Sequence, residues 1–372
     1  MLGTKTTPRG ASRAIGAIAA AVASVVLLVP ATGASAVSRE FFGVVPAGNT
    51  TASEFQTMGS ANVGTYRFQL SWRDVQPDQG GSYHWSSVDQ QVTNAALNGI
   101  ELLPFVYGTP SWAGASPIHP PSTGDAKQAW AQFLAAAAAR YGPGGEFWQS
   151  FSQLHPGVSP RPIEAWQILN EQNSPTYFQP KPSPKKYAKL VVLADDAIQD
   201  VDPGADIVLG GMFGTPSPKK AISSWSFLKR LYKVKGVKRH FDAVALHPYS
   251  PNLAGIKAQI ELAREKLKKA GDRRVPILIT ELGWGSAGTQ GFNLIKTPAG
   301  QKKLLRKSFN LLLHRRGKWK IKRLLWFAWR DPGTPSDSAG AVCSWCASAG
   351  LLDRDGDAKP SFDQYRKFTG GG

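Results

Sequence analysis

Short apolar runs recur along the chain, each bounded by turn-forming residues and separated from the next by a longer stretch of helical spacing. The runs cover residues 41–47, 63–72, 100–108, 163–171, 205–213, 241–249, 275–284 and 323–331. They read as near-continuous hydrophobic segments, as expected of parallel strands buried on both faces. Between them, residues 51–59, 87–97, 125–141, 184–201, 222–234, 253–270 and 298–315 carry helical patterns, and a last helix is expected over 361–368. The Ala-rich stretch 129–139 is a strong helix former. Pro184 and Pro298 stand where a first helical turn tolerates proline. Gly99, Gly236 and Gly271 stand just past helix ends, where a positive φ is needed.

Strands alternating with helices in this number predict an α/β fold, a single-domain (β/α)8 TIM barrel. A doubly wound open sheet is the alternative. It would want a glycine-rich phosphate loop after the first strand, and Pro46-Ala47-Gly48-Asn49 is not one. The Gly210-Gly211 pair is read as close backbone packing at a strand end.

Residues 1–36 fall outside this pattern. Lys5, Arg9 and Arg13 precede an apolar run over 14–29, and Ala34-Ser35-Ala36 is an A-x-A cleavage site. This is the layout of a secretory signal peptide, with an uncleaved anchor as the competing reading. Residues 37–372 then form the barrel. The expected location is secreted, either extracellular or associated with the cell wall. No later apolar stretch is long enough for a membrane span.

The formal net charge is +18 over 372 residues. The excess gathers in tracts at 229–239 and 315–323, both of which precede strands and so fall at the barrel end opposite the strand C-termini. A solvated basic surface or association with an anionic cell wall accounts for them. Export argues against nucleic acid as a partner. The two cysteines, Cys343 and Cys346, are spaced C-x-x-C in a Gly/Ser/Ala-rich loop near the C-terminus. That spacing fits redox catalysis, half of a zinc site or a local structural disulfide; in an exported chain the disulfide is the expected outcome.

In barrels of this kind chemistry collects at the strand C-termini. Two of those ends carry lone carboxylates. Glu171 closes Trp166-Gln167-Ile168-Leu169-Asn170-Glu171, and Glu281 closes Ile277-Leu278-Ile279-Thr280-Glu281. Each alone is equally a strand-end salt bridge; presented together, they are the minimal machinery for cleaving a glycosidic bond. The same rim is expected to gather Arg67, Trp112, Asn170, His247, Tyr249, Trp284 and Trp329. Aromatic rings suit the apolar faces of sugars, and fixed polar groups suit their hydroxyls. This set calls for no cofactor and no metal. His84, His119, His155, His240 and His314 are read as structural, Trp72, Trp85, Trp130, Trp148, Trp166 and Trp326 as core or helix–barrel packing, and Asp353-Arg354-Asp355-Gly356-Asp357 as a turn before the last helix.

The ordered placement of Leu-Asn-Glu-x-Asn at 169–173, Thr109-Pro110-Ser111-Trp112, His247-Pro248-Tyr249 and Glu281-Leu282-Gly283-Trp284 resembles the clan A glycoside hydrolases. The likeness is strongest to family 39 and its relatives, which include xylosidases, iduronidases and endoglycosidases of bacterial exopolysaccharide. Gln172 departs from the pattern, since many members have proline there. The resemblance implies Glu171 as acid/base and Glu281 as nucleophile, in hydrolysis with retained configuration through a glycosyl-enzyme. It implies Arg67 and Tyr249 as partners of Glu281, and Asn170 as partner of the sugar 2-hydroxyl. His247 would orient one of the glutamates, Trp329 would floor the subsite, and Trp112 and Trp284 would wall the cleft. The expected partner is an oligo- or polysaccharide. A catalytically silent glycan-binding barrel and a transglycosylase using the same residues stay open.

Overall fold

The computed structural model describes residues 37–216, 218–288, 293–332 and 343–371. The signal peptide expected over residues 1–36 lies outside them. In chain order the elements are β1 (Phe42–Val45), α1 (Ala52–Ser60), β2 (Thr65–Ser71), α2 (Trp72–Val75), α3 (Ser86–Leu97), β3 (Glu101–Tyr107), α4 (Gly124–Tyr141), α5 (Glu146–Leu154), β4 (Ala165–Asn170) and α6 (Pro184–Gln199). They continue as β5 (Asp206–Phe213), α7 (Ser224–Leu231), β6 (Ala243–His247), α8 (Leu253–Lys269), β7 (Ile277–Leu282), α9 (Pro298–Trp319), β8 (Ile321–Phe327) and α10 (Pro360–Thr369). The eight strands close into a barrel in sequence order. All neighbours are parallel, and β8 returns to β1 with Phe42 opposite Leu324 and Val45 opposite Phe327. This is the (β/α)8 fold that the alternation predicts.

Local chemistry explains the element ends. Thr51 and Glu54 form a reciprocal capping box at α1. Thr123, Ser183, Asn252 and Thr297 each accept a backbone N–H at the start of α4, α6, α8 and α9. These side chains satisfy donors that a helix start leaves without partners. Gly99, Gly236 and Gly271 all have positive φ, at 64°, 87° and 71°.

The structure differs from the sequence reading in three places. Trp72 opens the short helix α2 instead of ending β2, and α5 occupies a stretch with no assigned element. The third difference is at β8, which runs from Ile321 to Phe327, not 323–331. Helix α9 continues through the basic tract to Trp319, and Lys320, with φ 55°, turns the chain directly into the strand. The 229–239 tract lies before β6, and the 315–323 tract covers the end of α9 and the first residues of β8. Among the described residues, no helix is long and apolar enough to cross a membrane.

Alternate strand residues face the barrel axis, and they stack in chemically distinct layers. At the N-terminal end Arg323 reaches Glu101 at 2.8 Å and also bonds Thr65. Above it lies an apolar belt of Val45, Leu103, Val208, Ala245, Leu278 and Leu325. Above the belt the buried side chains turn polar: Arg67, Gln167, His247 and Thr280. The belt separates this upper layer from the N-terminal end of the barrel.

Leu325 is fully buried in the belt. Leu325→Ala should therefore lower unfolding stability by roughly 2–5 kcal/mol in urea denaturation. A loss under about 1 kcal/mol would show that the belt is not close-packed.

Candidate active site

Arg67 rises from β2 into the upper layer with none of its surface exposed. Its guanidinium spends three nitrogens on three side chains of two other strands, β4 and β7. Nε donates to Gln167 Oε1 at 2.9 Å, Nη1 to Glu281 Oε1 at 2.7 Å, and Nη2 to Asn170 Oδ1 at 2.7 Å. The plane also lies over the Phe105 ring, 4.2 Å from its centroid. Burial pulls the Arg67 pKa down, and the adjacent Glu281 pushes it back up. Because arginine can only donate, the Asn170 amide must present its oxygen to Arg67 and keep its NH2 for the pocket.

Glu281, near the end of β7, has a donor on each oxygen. Arg67 holds Oε1, and the Tyr249 hydroxyl donates to Oε2 at 2.8 Å. Burial raises its pKa above the usual glutamate range, but Arg67 and Tyr249 oppose that rise. Both contacts favour the carboxylate.

Glu171 sits just past β4 in a different environment. Burial pushes its pKa well above 4.5, the charge of Glu281 adds to the rise, and Arg67 only partly counters it. Its neighbour is neutral: burial and then Arg67 hold His247 well below its usual pKa of 6.5. His247 bridges Glu171 Oε1 through Nδ1 at 2.8 Å and Thr280 Oγ1 through Nε2 at 3.0 Å. Nδ1 also lies 3.4 Å from Glu281 Oε2. One oxygen of each glutamate and one imidazole nitrogen lie within 4.8 Å of one another. The two carboxyls therefore share a single pocket. Of the two, Glu281 is the one that ionises first, and Glu171 is the one that keeps a proton.

The backbone of β4 makes this convergence possible. Leu169 and Glu171 both have positive φ, 64° and 42°. Such conformations cost a non-glycine residue roughly 1–2 kcal/mol each. An extended strand would send Asn170 and Glu171 to opposite faces. The left-handed residues break that alternation and let both reach the same cluster. Neighbouring bonds hold the distortion, with Glu171 N–H donating to Gly211 O at 2.8 Å and Gln167 Nε2 to Leu169 O at 3.1 Å. Gly211 has a second purpose, because a β-carbon there would collide with the His247 imidazole. Gln172 turns away from the pocket and donates to Gly210 O at 3.1 Å. Its departure from the expected proline thus lies beneath β5 and leaves the carboxyl pair untouched.

The structure brings Arg67, Asn170, Glu171, His247, Tyr249 and Glu281 together, but corrects the three tryptophans. Trp284 is fully buried, donates to Ser250 O at 2.8 Å and packs beside Trp326. It is core, not cleft wall. Trp329 is 1% exposed and edge-on to Phe362 of α10. It cannot floor a subsite, because β8 ends at Phe327 and the chain has already left the barrel axis. Trp112 lies half-buried in a groove whose lining includes neither glutamate. The aromatic surface at the site comes instead from residues the sequence did not single out. Trp345 packs edge-on to Tyr249, with centroids 4.7 Å apart, and 5.8 Å from Phe327. Cys343 and Cys346 form a disulfide around it. Tyr177 is close enough for both glutamates to raise its pKa, after burial. Its place two turns of chain beyond Asn-Glu was the one available signal.

Glu171, His247 and Glu281 offer a metal-like cluster of ligand atoms. The donor set does not fit a resident cation, because the buried Arg67 charge already occupies Glu281 and would repel one. A second cluster of Asp195, Asp196 and His240 lies away from the pocket, where His240 Nδ1 pairs with Asp195 at 2.8 Å.

Searches of protein-family models and of curated proteins find no match to this sequence. Solved structures do match the fold. One is a family 39 glycoside hydrolase from the gut symbiont Bacteroides cellulosilyticus WH2, with TM-score 0.65 and 19% identity over 90% of this chain and 64% of that one. Another is a family 39 β-xylosidase from Caulobacter crescentus, with TM-score 0.62 and 17% identity over 91% and 73% of the two chains. A family 10 protein from Paenibacillus barcinonensis gives TM-score 0.59 and 15% identity over 89% and 96%. This chain thus spans under two thirds of the length of the first of these. At such identities the likeness establishes the shared barrel.

The raised Glu171 pKa has a stability consequence. Its folded state holds the proton more tightly than the unfolded chain, whose glutamate titrates near 4.5. The stabilising contribution is therefore complete below about pH 4.5 and is lost as pH rises through the folded pKa. Glu171→Gln cannot ionise. By calorimetry it should melt at least about 2 °C above the parent at pH 8, with the gain shrinking towards pH 5. A parent that melts as high as the variant at pH 8 would contradict the assignment.

Proposed function

We propose that this chain is a secreted retaining glycoside hydrolase acting on an oligo- or polysaccharide. The observation that carries the reading is the convergence of two buried glutamates whose environments push their ionisation apart. Glu281 is bonded by Arg67 and Tyr249, as a nucleophile that must stay ionised would be. Among the described residues no lysine or arginine bonds Glu171, and it borders neutral His247, as an acid that must keep its proton would. Pairs of titratable groups held at different pKa values are how acid and base roles are assigned in one pocket.

Glu281 attacks the anomeric carbon while Glu171 gives its proton to the departing glycosidic oxygen. The products of this first step are a neutral glycosyl ester on Glu281 and a carboxylate on Glu171. Esterification removes the Glu281 charge that had raised the Glu171 pKa. Glu171 is then a carboxylate in the absence of that repulsion, suited to take a proton from water. Water adds to the anomeric carbon, the ester bond breaks, and Glu281 leaves as a carboxylate beside Arg67. Two inversions give net retention, for which carboxyls about 5–5.5 Å apart are expected. The shared 4.8 Å cluster supports that geometry over the wider spacing of an inverting pair. The Asn170 NH2, with its oxygen fixed by Arg67, is suited to the sugar 2-hydroxyl. Phe327 and Trp345 offer rings to the sugar's apolar face. The apolar leader over residues 14–29 and the A-x-A motif support export.

Two substitutions separate the roles. Glu281→Ala should lower kcat by at least about 10^3-fold on every substrate, with binding of the intact glycan retained in calorimetry. An unchanged rate would refute its role. Glu171→Ala should slow glycosides with poor leaving groups far more than activated aryl glycosides. Equal losses on both would contradict its role as proton donor.

A further inference from the structure

We propose a second carbohydrate-binding site, for a neutral glycan chain, in the groove between the β2–α3 connection and α4. The groove has a volume of about 380 Å3, and neither glutamate of the carboxyl pair lines it. Trp112 forms one wall. Its indole is fixed rather than mobile. Nε1 donates to Gln76 O at 3.3 Å, and the ring stands edge-on to buried Trp72, with centroids 5.2 Å apart. Gln76 in turn accepts from Trp72 Nε1 at 2.9 Å, so the residue of the β2–α3 connection that anchors the indole is itself tied to the core.

The facing wall is a stripe of α4. Asp125, Gln128, Ala129 and Gln132 follow one another at i, i+3, i+4 and i+7, and so share a helix face. The opposite stripe, with Trp130, Phe133, Leu134 and Ala137, is the one packed into the protein. Ala129 leaves room between the two glutamines. Gln79 reaches the groove from the other side. Among the described residues, the side chains of Gln79, Gln128 and Gln132 make no hydrogen bond to protein, so three amides are free to donate and accept. A rigid indole beside uncommitted amides suits a pyranose, whose C–H face stacks and whose adjacent hydroxyls each need a donor and an acceptor.

Charge selects the class of glycan. The chain is strongly basic, at +18, yet among the described residues no lysine or arginine lines this groove, and the one charged residue there is Asp125. A polyanion would find cations almost anywhere else on the molecule. The groove instead fits an uncharged sugar, and would hold a polymer to the enzyme outside the cleavage pocket. The choice of polymer rests on the reading of that pocket as glycan-cleaving, but binding in the groove does not.

Affinity electrophoresis in reverse-polarity native gels tests this on the full chain carrying Glu281→Gln. The gels contain barley β-glucan, xylan, glucomannan or, as a polyanion, polygalacturonate. At least one neutral polymer should retard the protein. Adding Gln128→Ala with Gln132→Ala should weaken that retardation at least about fivefold. In the active chain the same pair should leave kcat and KM on a small aryl glycoside unchanged. Trp112→Ala should weaken retardation further; the exposed glutamine pair decides the outcome if removing the indole disturbs folding. Retardation by no neutral polymer, or by polygalacturonate alone, would overturn the proposal. So would glutamine variants that migrate as the parent does. Since turnover is blocked in every gel, loss of this site and loss of the hydrolytic reading are separate results.

Discussion

The buried ion pair between Arg67 and Glu281 is the constraint around which the upper barrel is arranged. Arg67 is fully buried and the Glu281 side chain is 12% exposed, and so buried a pair is tolerated only when its remaining donors and acceptors are met. Gln167, Asn170 and Tyr249 meet them, from β4 and from just past β6. Removing one partner of such a pair typically costs 3–5 kcal/mol, because the other charge is left stranded. The pair therefore fixes the positions of three strands relative to one another. It also creates the asymmetry of the pocket: Arg67 bonds one glutamate directly and acts on the other only through space.

That asymmetry would be useless if Glu171 pointed elsewhere. Two left-handed residues bring it in, and the surrounding structure keeps them so. The Tyr187 hydroxyl accepts from Gly210 N–H at 2.7 Å and donates to Ile168 O at 2.9 Å, which joins β4 to β5 beneath the distortion. Gly210 and Gly211 remove the β-carbons that would collide with Gln172 and His247. Local strain at a site is sustained where its neighbours over-determine it. Here the neighbours are two glycines of β5, a buried tyrosine of α6 and a buried histidine of β6.

Much of this was legible in the sequence. Apolar runs bounded by glycine and proline located all eight strands, because a strand buried on both faces can hardly be written otherwise. Asn170-Glu171, Glu281 and His247-Pro248-Tyr249 stood at strand ends, which converge in a closed parallel barrel; Arg67 lies early in β2 and joins them through its long side chain. The aromatic residues were not legible. Trp329 is in phase with Leu325 and Phe327, and would face the axis if β8 continued; the strand stops at Phe327, and Trp329 N–H instead donates to Val45 O at 2.8 Å. Trp284 follows Glu281 closely, yet Gln301 and Ser250 hold it in the core. Trp345 reaches Tyr249 from a loop with no periodicity to read. Tryptophan content tells that rings are available, not which way each one faces. The left-handed φ of Leu169 was equally hidden, since nothing in its side chain favours that conformation.

The most direct test of the account is covalent trapping of the nucleophile. The intact chain is incubated with a panel of 2-deoxy-2-fluoro-β-glycosyl fluorides, and its mass is measured before and after proteolysis. The account predicts one sugar per chain, carried on the peptide that contains Glu281, with no adduct on the Glu281→Gln variant. Adduct on Glu171 or any other residue would contradict it. So would the absence of adduct with a fluorosugar whose parent glycoside the protein turns over.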